Sequence, residues 1–464
     1  MKTASNAFTA FWQEFRKDSL GMIGFSLLVA FCLAALLGPL MIPFTEASEK
    51  WQDITYWQDN PESAPPEWTN WFATQKSTST WRSSSIKPTT EEQDGVTKGT
   101  AEISYDWNAD LPPRDVILLW QGSGQIVYRL LVVRPDGQEI PLMQNNMDMG
   151  QNAINRESIG SNATDQVLEW VRTVVGESAG YSIDPNQFSA IDFLFAQSNE
   201  KLVEQQVALK GTYRFRLEYV ALDGAEIASV RLAVPGSVSG LLGTDKSKRD
   251  LFSGVIVGIR WALLIGILTS LLNVLMGVTL AIVSGYLGGW VDSVIQRVTE
   301  FFLQLPVLPF IIVISAIFKP SIWFLIGIFC LFFWVGPVKP VRSMTLQIRE
   351  ETFVEASRAL GASRLRIILR HIFPILLPFS FASIALSVPG IIVYEASLSL
   401  LGLGDATIVT WGQILNGAFS SQAFLSNMWW WVIPPGIAMA LMGMTFAFLG
   451  FSLDKILHPK LKTR

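Results

Sequence analysis

Long apolar runs free of any charge alternate along this chain with short basic segments. No Asp, Glu, Lys or Arg occurs in 19–45, 261–291, 301–318, 320–338, 372–394 or 406–453. A helix crosses the hydrocarbon core of a bilayer with about 20 apolar residues. The runs therefore predict six transmembrane helices, at 20–43, 257–284, 298–318, 321–339, 373–394 and 429–452. The last run is too long for one crossing. Its first half carries Gln413, Asn416, Ser420, Ser421 and Gln422, so only the second half is expected to span. Core helices of a soluble protein are the competing explanation for some of these runs.

Between the first and second spans the period changes. Asp115 to Trp120, Gln125 to Val133, Gly211 to Val220 and Ile227 to Val234 are rich in β-branched and aromatic residues and alternate with period two. Pro135-Asp136-Gly137 and Leu222-Asp223-Gly224 read as turns, which argues for antiparallel hairpins. Asp165 to Val175 and Ala190 to Val203 read as helical, and residues 60–100, rich in Ser, Thr, Pro and Glu, as an irregular or extended arm. The organisation expected is an N-terminal segment at 1–19, the first span, an inserted mainly β or α+β domain at 44–240, and five helices in 241–464 with a loop at 340–373.

Composition supports a polytopic α-helical membrane protein. Hydrophobic residues make up 50% and charged residues 16%, against about 25% charged in globular domains. Residues 46–250 hold 18 Lys/Arg and 29 Asp/Glu, a net of −11 within a chain of net −4. Basic residues sort by side. One side takes Lys2, Arg16, Lys17, Arg297, Lys339, Arg342, Arg349, Arg358, Arg364, Arg366, Arg370, Lys455, Lys460, Lys462 and Arg464; short segments on the other offer Lys319 and Arg260. Both termini and the 340–373 loop are thus expected in the cytoplasm, with the insert outside it. A cleaved signal peptide is the alternative for 1–43. The apolar run is too long for that, and Pro39 and Pro43 stand where cleavage would fall. Trp51, Trp57, Trp68, Trp71, Trp81 and Trp107 crowd the start of the insert. Packing and membrane-interface anchoring are weighed there above a sugar- or peptide-binding surface. Cys32 and Cys330 fall within spans, so the insert has no disulfide; His371 and His458 lack metal-ligand company, and no metal site or cofactor is assigned.

The segment 350–374 has an arrangement of its own. Thr352 to Leu360 are good helix formers, Gly361 suits a left-handed helix end, and Ser363 suits a cap for a second helix. The expected helix-Gly-helix elbow has an apolar side (Phe353, Ala356, Ala359, Leu360) and a charged side. A basic membrane-surface helix is the plainer alternative; Gly361, Ala356 and Ser357 favour close docking on another backbone.

Glu355-Ala356-Ser357-Arg358-Ala359-Leu360-Gly361, ending in Ile372-Phe373-Pro374, closely resembles the EAA loop of binding-protein-dependent ABC permeases, with Ser357 in place of the second Ala. Leu242-Gly243-Thr244-Asp245 with Arg249-Asp250-Leu251-Phe252-Ser253 is similar to a segment of the DppC/OppC (dipeptide, oligopeptide and nickel) type, where Lys248 stands at a usual Gly. Gly285-Tyr286-Leu287-Gly288-Gly289-Trp290-Val291-Asp292 resembles the second cytoplasmic loop of that type. Glu395 to Gly404 with Trp411-Gly412 resembles its last extracytoplasmic loop. Phe11-Trp12, Phe15-Arg16 and Leu20 through Gly24 look like its N-terminal segment. The resemblance covers about 10–43 and 240–464 and leaves the insert outside it.

It implies a permease subunit of a type I ABC importer. Glu355, Ala356, Ser357, Arg358, Leu360 and Gly361 would couple to an ATPase. The partners implied are two ATP-binding subunits, a second homologous permease, a solute-binding protein and membrane lipids. No nucleic acid is expected. No Gly-Lys dipeptide occurs in the chain, so it has no Walker A loop and is not expected to be an enzyme. The substrates implied are di- and oligopeptides, with nickel or another small solute as an alternative. Glu300 and Glu395, at span ends, are candidate pathway residues. The rival class is a membrane-anchored receptor or assembly protein acting through its exported domain.

Overall fold

The computed structural model describes residues 11–41, 48–93, 96–176, 188–222, 224–318 and 321–457. Lys2, Pro43, Asp223, Lys319, His458, Lys460, Lys462 and Arg464 lie outside the described residues. The chain divides into two units, Met1–Gln52 with Ser253–Arg464, and Asp53–Phe252. In the first unit, after a helical stretch at 11–17, comes α1 (Ser19–Met41), an apolar helix without a charge.

The second unit is a sheet with helices. Its strands are β1 (Trp81–Arg82), β2 (Thr89–Gln93), β3 (Val96–Trp107), β4 (Ile117–Val133), β5 (Glu139–Ser158), β6 (Gly211–Ala221) and β7 (Glu226–Val234). All pairings are antiparallel, in the order β1-β7-β4-β6-β3-β2, with β5 along the free side of β4. Period-two alternation sends Ile103, Tyr105 and Trp107 of β3 and Tyr213, Phe215 and Leu217 of β6 into one core, while Glu102, Arg214 and Arg216 stay outside it. Helices α2 (Ile159–Asn162), α3 (Thr164–Val175) and α4 (Ala190–Leu194) close that core through Ile159, Val167, Val171, Ile191 and Leu194.

The hairpin expected at Pro135-Asp136-Gly137 forms, while the one expected at Leu222-Asp223-Gly224 does not, and the other expected strands pair differently. Asp115–Trp120 and Gln125–Val133 do not fold back on each other; they are one strand, β4, with an irregularity at Gly122–Gly124. Gly211–Val220 and Ile227–Val234 do not pair either. β6 lies along Ile126–Val133 and β7 along Ile117–Ser123, end to end on the same edge of β4. Gly124 has φ +85, and a Cβ there would lie 2.7 Å from that of Ala225. Gly122 and Gly124 thus sit at an irregularity of β4, at the point where its partner changes from β6 to β7, the place of a bulge rather than a reversal. The hairpin that does form joins β4 to β5 through Pro135-Asp136-Gly137, where Gly137 N–H donates to the Arg134 carbonyl at 3.0 Å. The expected arm contains β2 and the start of β3 as paired strands. Of the early tryptophans, Trp57 and Trp107 are buried, whereas Trp71 is 82% exposed.

Just before the chain leaves this unit, Asp245 is buried and accepts from Arg249 N–H at 2.8 Å and Nε at 2.6 Å. Burial raises its carboxyl pKa while the Arg249 charge opposes the rise. Lys248 adopts φ +65, so the residue standing at the usual Gly holds the glycine conformation and keeps the turn.

The remaining helices belong to the first unit. They are α5 (Leu251–Leu287), α6 (Gly289–Gln304), α7 (Val307–Ile317), α8 (Ile322–Phe333), α9 (Val338–Arg349), α10 (Thr352–Ala359), α11 (Arg364–Ile367), α12 (Phe373–Leu400), α13 (Trp411–Ser420) and α14 (Trp429–Leu457). Four helical stretches are long and apolar enough to cross a membrane: Ser19–Gly38, Leu251–Leu287, Arg364–Leu400 and Trp429–Ile456. The pairs α6/α7 and α8/α9 pass the same test together but bend by 82° and 52°. Pro306 causes the first bend by holding Leu305 extended, with ψ 134, and Pro337 sits in the second. A five-residue π segment, Ile368–Ile372, links α11 to α12 just before Pro374, whose missing N–H breaks the regular ladder.

Small residues set the helix contacts. A Cβ on Gly24 of α1 would lie 2.9 Å from the Thr445 carbonyl and 3.0 Å from Leu449 N of α14. Only glycine allows that approach, the usual way helices meet in lipid. Arg260 lies inside α5, and its Nε donates to the Ala35 carbonyl of α1 at 3.2 Å.

Candidate functional site

The elbow at 352–372 is fastened on one side and bare on the other. Val354, Ile367 and Ile372 are fully buried in a cluster with Val278, Tyr286, Trp334, Val338 and Val341. The other face carries Phe353, Leu360, Leu365 and Leu369, which are 39, 89, 65 and 59% exposed. Glu355, Ala356, Arg358, Ala359 and Gly361 are exposed too, and so are Arg364, Arg366 and Arg370. The apolar side read from sequence therefore faces outward, and Val354 alone anchors α10. Four exposed large apolar side chains rimmed by arginines mark a protein- or membrane-binding surface.

The turn is built to be rigid. Gly361 has φ +81. Gly361 N–H donates to the Arg358 carbonyl at 3.0 Å, and Ala362 N–H to the Ser357 carbonyl at 3.1 Å. This crossed pair is the Schellman ending, which needs a left-handed residue at the glycine position. Ser363 Oγ then accepts from Arg366 N–H and caps α11. Ser357 is half-buried; its Oγ donates to the Phe353 carbonyl at 2.7 Å and lies 3.5 Å from His371 Nε2. His371 thus belongs to the elbow, a contact between the two arms that spacing alone did not signal. Leu365 and Leu369, also missed, sit four residues apart.

A second loop braces the elbow. Gly288 and Gly289 both have positive φ, 65° and 57°, and they turn α5 into α6. Asp292, on the first turn of α6, accepts Arg342 Nε at 2.7 Å and Nη2 at 2.5 Å from α9. Arg349 Nη1 donates to the Gly285 carbonyl at 3.3 Å. Because α9 runs straight into the elbow, this fork holds the elbow's stem against the end of α5.

Glu300 and Glu395 are not brought together. Glu300 is exposed on α6. Glu395 is 5% exposed near the end of α12, where it accepts from Ser399 Oγ and Thr410 Oγ1, both at 2.8 Å. Thr410 also caps α13, and Trp411 Nε1 donates to the Val255 carbonyl at 2.9 Å. Gly412 lies so close to Ser399 that a Cβ would be 2.7 Å from the serine Cβ. Glu395 therefore ties down the 401–413 loop. Among the described residues no group of three or more His, Cys, Asp and Glu is placed to hold a metal ion.

Two family models match the chain. The binding-protein-dependent transport system inner membrane component matches residues 277–463, and the N-terminal TM domain of oligopeptide transport permease C matches residues 7–66. The dipeptide transport system permease protein DppC of Bacillus subtilis is 34% identical over 230 residues, 49% of this chain and 71% of that protein. The oligopeptide transport system permease protein OppC of Haemophilus influenzae is 34% identical over 219 residues, 47% of this chain and 70% of that protein. The peptidoglycan transport system permease protein YejE of Agrobacterium fabrum is 37% identical over 175 residues, 37% of this chain and 46% of that protein.

Proposed function

Since the chain belongs to the family of binding-protein-dependent transport system inner membrane components, we propose that it is a peptide-carrying permease subunit of an ATP-driven importer. The helical unit is a multi-pass inner-membrane protein in this reading. The four long helices and the two bent pairs make six crossings, with both termini and the elbow in the cytoplasm and the β-rich unit outside. Relatives named for dipeptide and oligopeptide transport supply the substrate class.

The single observation that carries the mechanism is the elbow. It is rigid at Gly361, buried at Val354, Ile367 and Ile372, and bare at Phe353, Leu360, Leu365 and Leu369. That surface docks in a groove of a separate ATPase chain, where ATP is hydrolysed. Glu355, Ala356, Ser357, Arg358, Leu360 and Gly361 form the coupling face. Movement of the ATPase pair is passed through α9 and the Asp292–Arg342 fork to the helices. A solute-binding protein delivers the peptide from outside, and a second homologous permease completes the path.

Cysteine cross-linking tests the docking. In a background with Cys32 and Cys330 replaced, a cysteine at Arg358 should form an ATPase adduct whose yield changes on ATP binding. A cysteine at Val354 should not. Equal yields at the two positions would refute the assignment of the exposed face.

A further inference from the structure

We infer that Asn273 is a peptide-contacting residue of the path, pairing its carboxamide with a peptide bond of the passing substrate; this rests on the peptide-permease reading above. Asn273 sits within α5, in a stretch of 31 residues, 261–291, that carries no charge. It is 3% exposed, and neither its amide nitrogen nor its amide oxygen has a hydrogen-bond partner among the described residues. A buried unpaired polar group is costly, and a polar residue of this kind inside a span marks a functional position. Nearby, Thr279 Oγ1 is satisfied by its own helix, donating to the Leu275 carbonyl at 2.7 Å; the carboxamide of Asn273 is not.

The side chain borders a crevice of about 350 Å³, walled by Val274, Phe333, Ser383 and Ser387 and floored by Gly336 and Pro337. Ser387 Oγ donates to the Ser383 carbonyl at 2.7 Å, whereas the Asn273 carboxamide keeps both a donor and an acceptor without a partner. A peptide bond presents the complementary pair, C=O and N–H. Recognition through the backbone is independent of side chain and suits an importer of varied peptides.

The crevice is also coupled to the elbow by position. Its floor, Gly336-Pro337, is the 52° bend between α8 and α9, and α9 ends at the elbow. Gly277, one turn beyond Asn273, meets the Trp334 carbonyl and the Pro337 ring so closely that a Cβ would clash. A change in the bend therefore shifts the wall beside Asn273, and the amide, covered in this arrangement, is uncovered by the motion that admits substrate.

The test uses the complete transporter in proteoliposomes, with trialanine and a trialanine methylated on its central peptide nitrogen. The Asn273→Leu variant should assemble, keep its thermal midpoint and keep binding-protein-stimulated ATP hydrolysis. Its trialanine uptake per ATP should fall about tenfold, the equivalent of 1.4 kcal/mol. Wild type should prefer trialanine over the methylated peptide, and the variant should lose that preference. An unchanged preference, or loss of ATPase stimulation together with uptake, would overturn the inference in favour of a helix-packing role. Wild-type vesicles inactive on trialanine would sink the peptide-permease reading itself, and this inference with it, whereas active wild type with an unaffected variant sinks the inference alone.

Discussion

Substitution of Gly361 isolates the backbone of the elbow from everything it touches. A Cβ at this position would meet nothing within 4 Å, so Gly361→Ala introduces no clash. What it introduces is a side chain at φ +81, and for an L-residue that conformation costs about 1–2 kcal/mol. The ratio of formed to unformed elbow then falls about 5- to 30-fold. Asn tolerates the left-handed region better than other side chains, so Gly361→Asn should lose least. Val, branched at Cβ, should lose most among the residues that keep an N–H. Gly361→Pro fixes φ near −65° and removes the N–H that donates to the Arg358 carbonyl, so the crossed ending cannot form. Uptake per ATP hydrolysed, measured in proteoliposomes at equal permease abundance, should rank Gly, Asn, Ala, Val, Pro. Thermal stability of the helical unit should change little, because Val354, Ile367 and Ile372 stay buried in every variant. An alanine variant as active as wild type beside an impaired asparagine variant would refute the backbone argument.

Two further outcomes bear on the same frame. Arg342→Asp should reduce uptake at least tenfold by setting two carboxylates against each other, and the swap Asp292→Arg/Arg342→Asp should recover part of it; strictly additive losses in the double-mutant cycle would show that the fork carries no coupling. Reporter fusions ending at Gly137 and Trp411 should be active outside the cytoplasm and one ending at Arg349 inside it, and a cytoplasmic signal at Gly137 would overturn the six-crossing arrangement.

The elbow was legible because each of its parts is a local rule. Gly361 ends a helix and Ser363 begins one, and both rules act within four residues. The outward turn of its apolar side was not legible, since Phe353 and Val354 are neighbours of similar character and only the tertiary cluster at Tyr286 and Val338 decides which is buried. The apolar runs announced helices, but the bends at Pro306 and Pro337 divide two of them. In the β-rich unit, Leu222-Asp223-Gly224 was read as a hairpin turn because glycine marks both turns and bulges; register with a third strand, β4, settles the choice. β5 escaped notice altogether. Its Gln144-Asn145-Asn146 and Gln151-Asn152 are poor strand formers, and the ladder along β4 imposes the conformation. Glu300 and Glu395 looked equivalent by position, yet one is exposed on α6 and the other is a buried clasp for Ser399 and Thr410.

The in-line arrangement of β6 and β7 along β4 has a consequence for biogenesis. Trp81 pairs with Val234, and Ile117 with Ala233, so closing the sheet needs contacts between residues far apart in the chain. Such topologies close late, after the loop entropy of the intervening chain has been overcome. Synthesised from the N-terminus, this unit cannot complete its edge until residue 234 is available, and the next apolar helix begins at Leu251. If the unit is exported, nearly all of it must therefore cross as unfolded polypeptide, held at one end by α1. It can complete its fold only after residue 234 has crossed. Chaperone demand during export, rather than stability of the finished sheet, should then limit how much of this permease a cell can make.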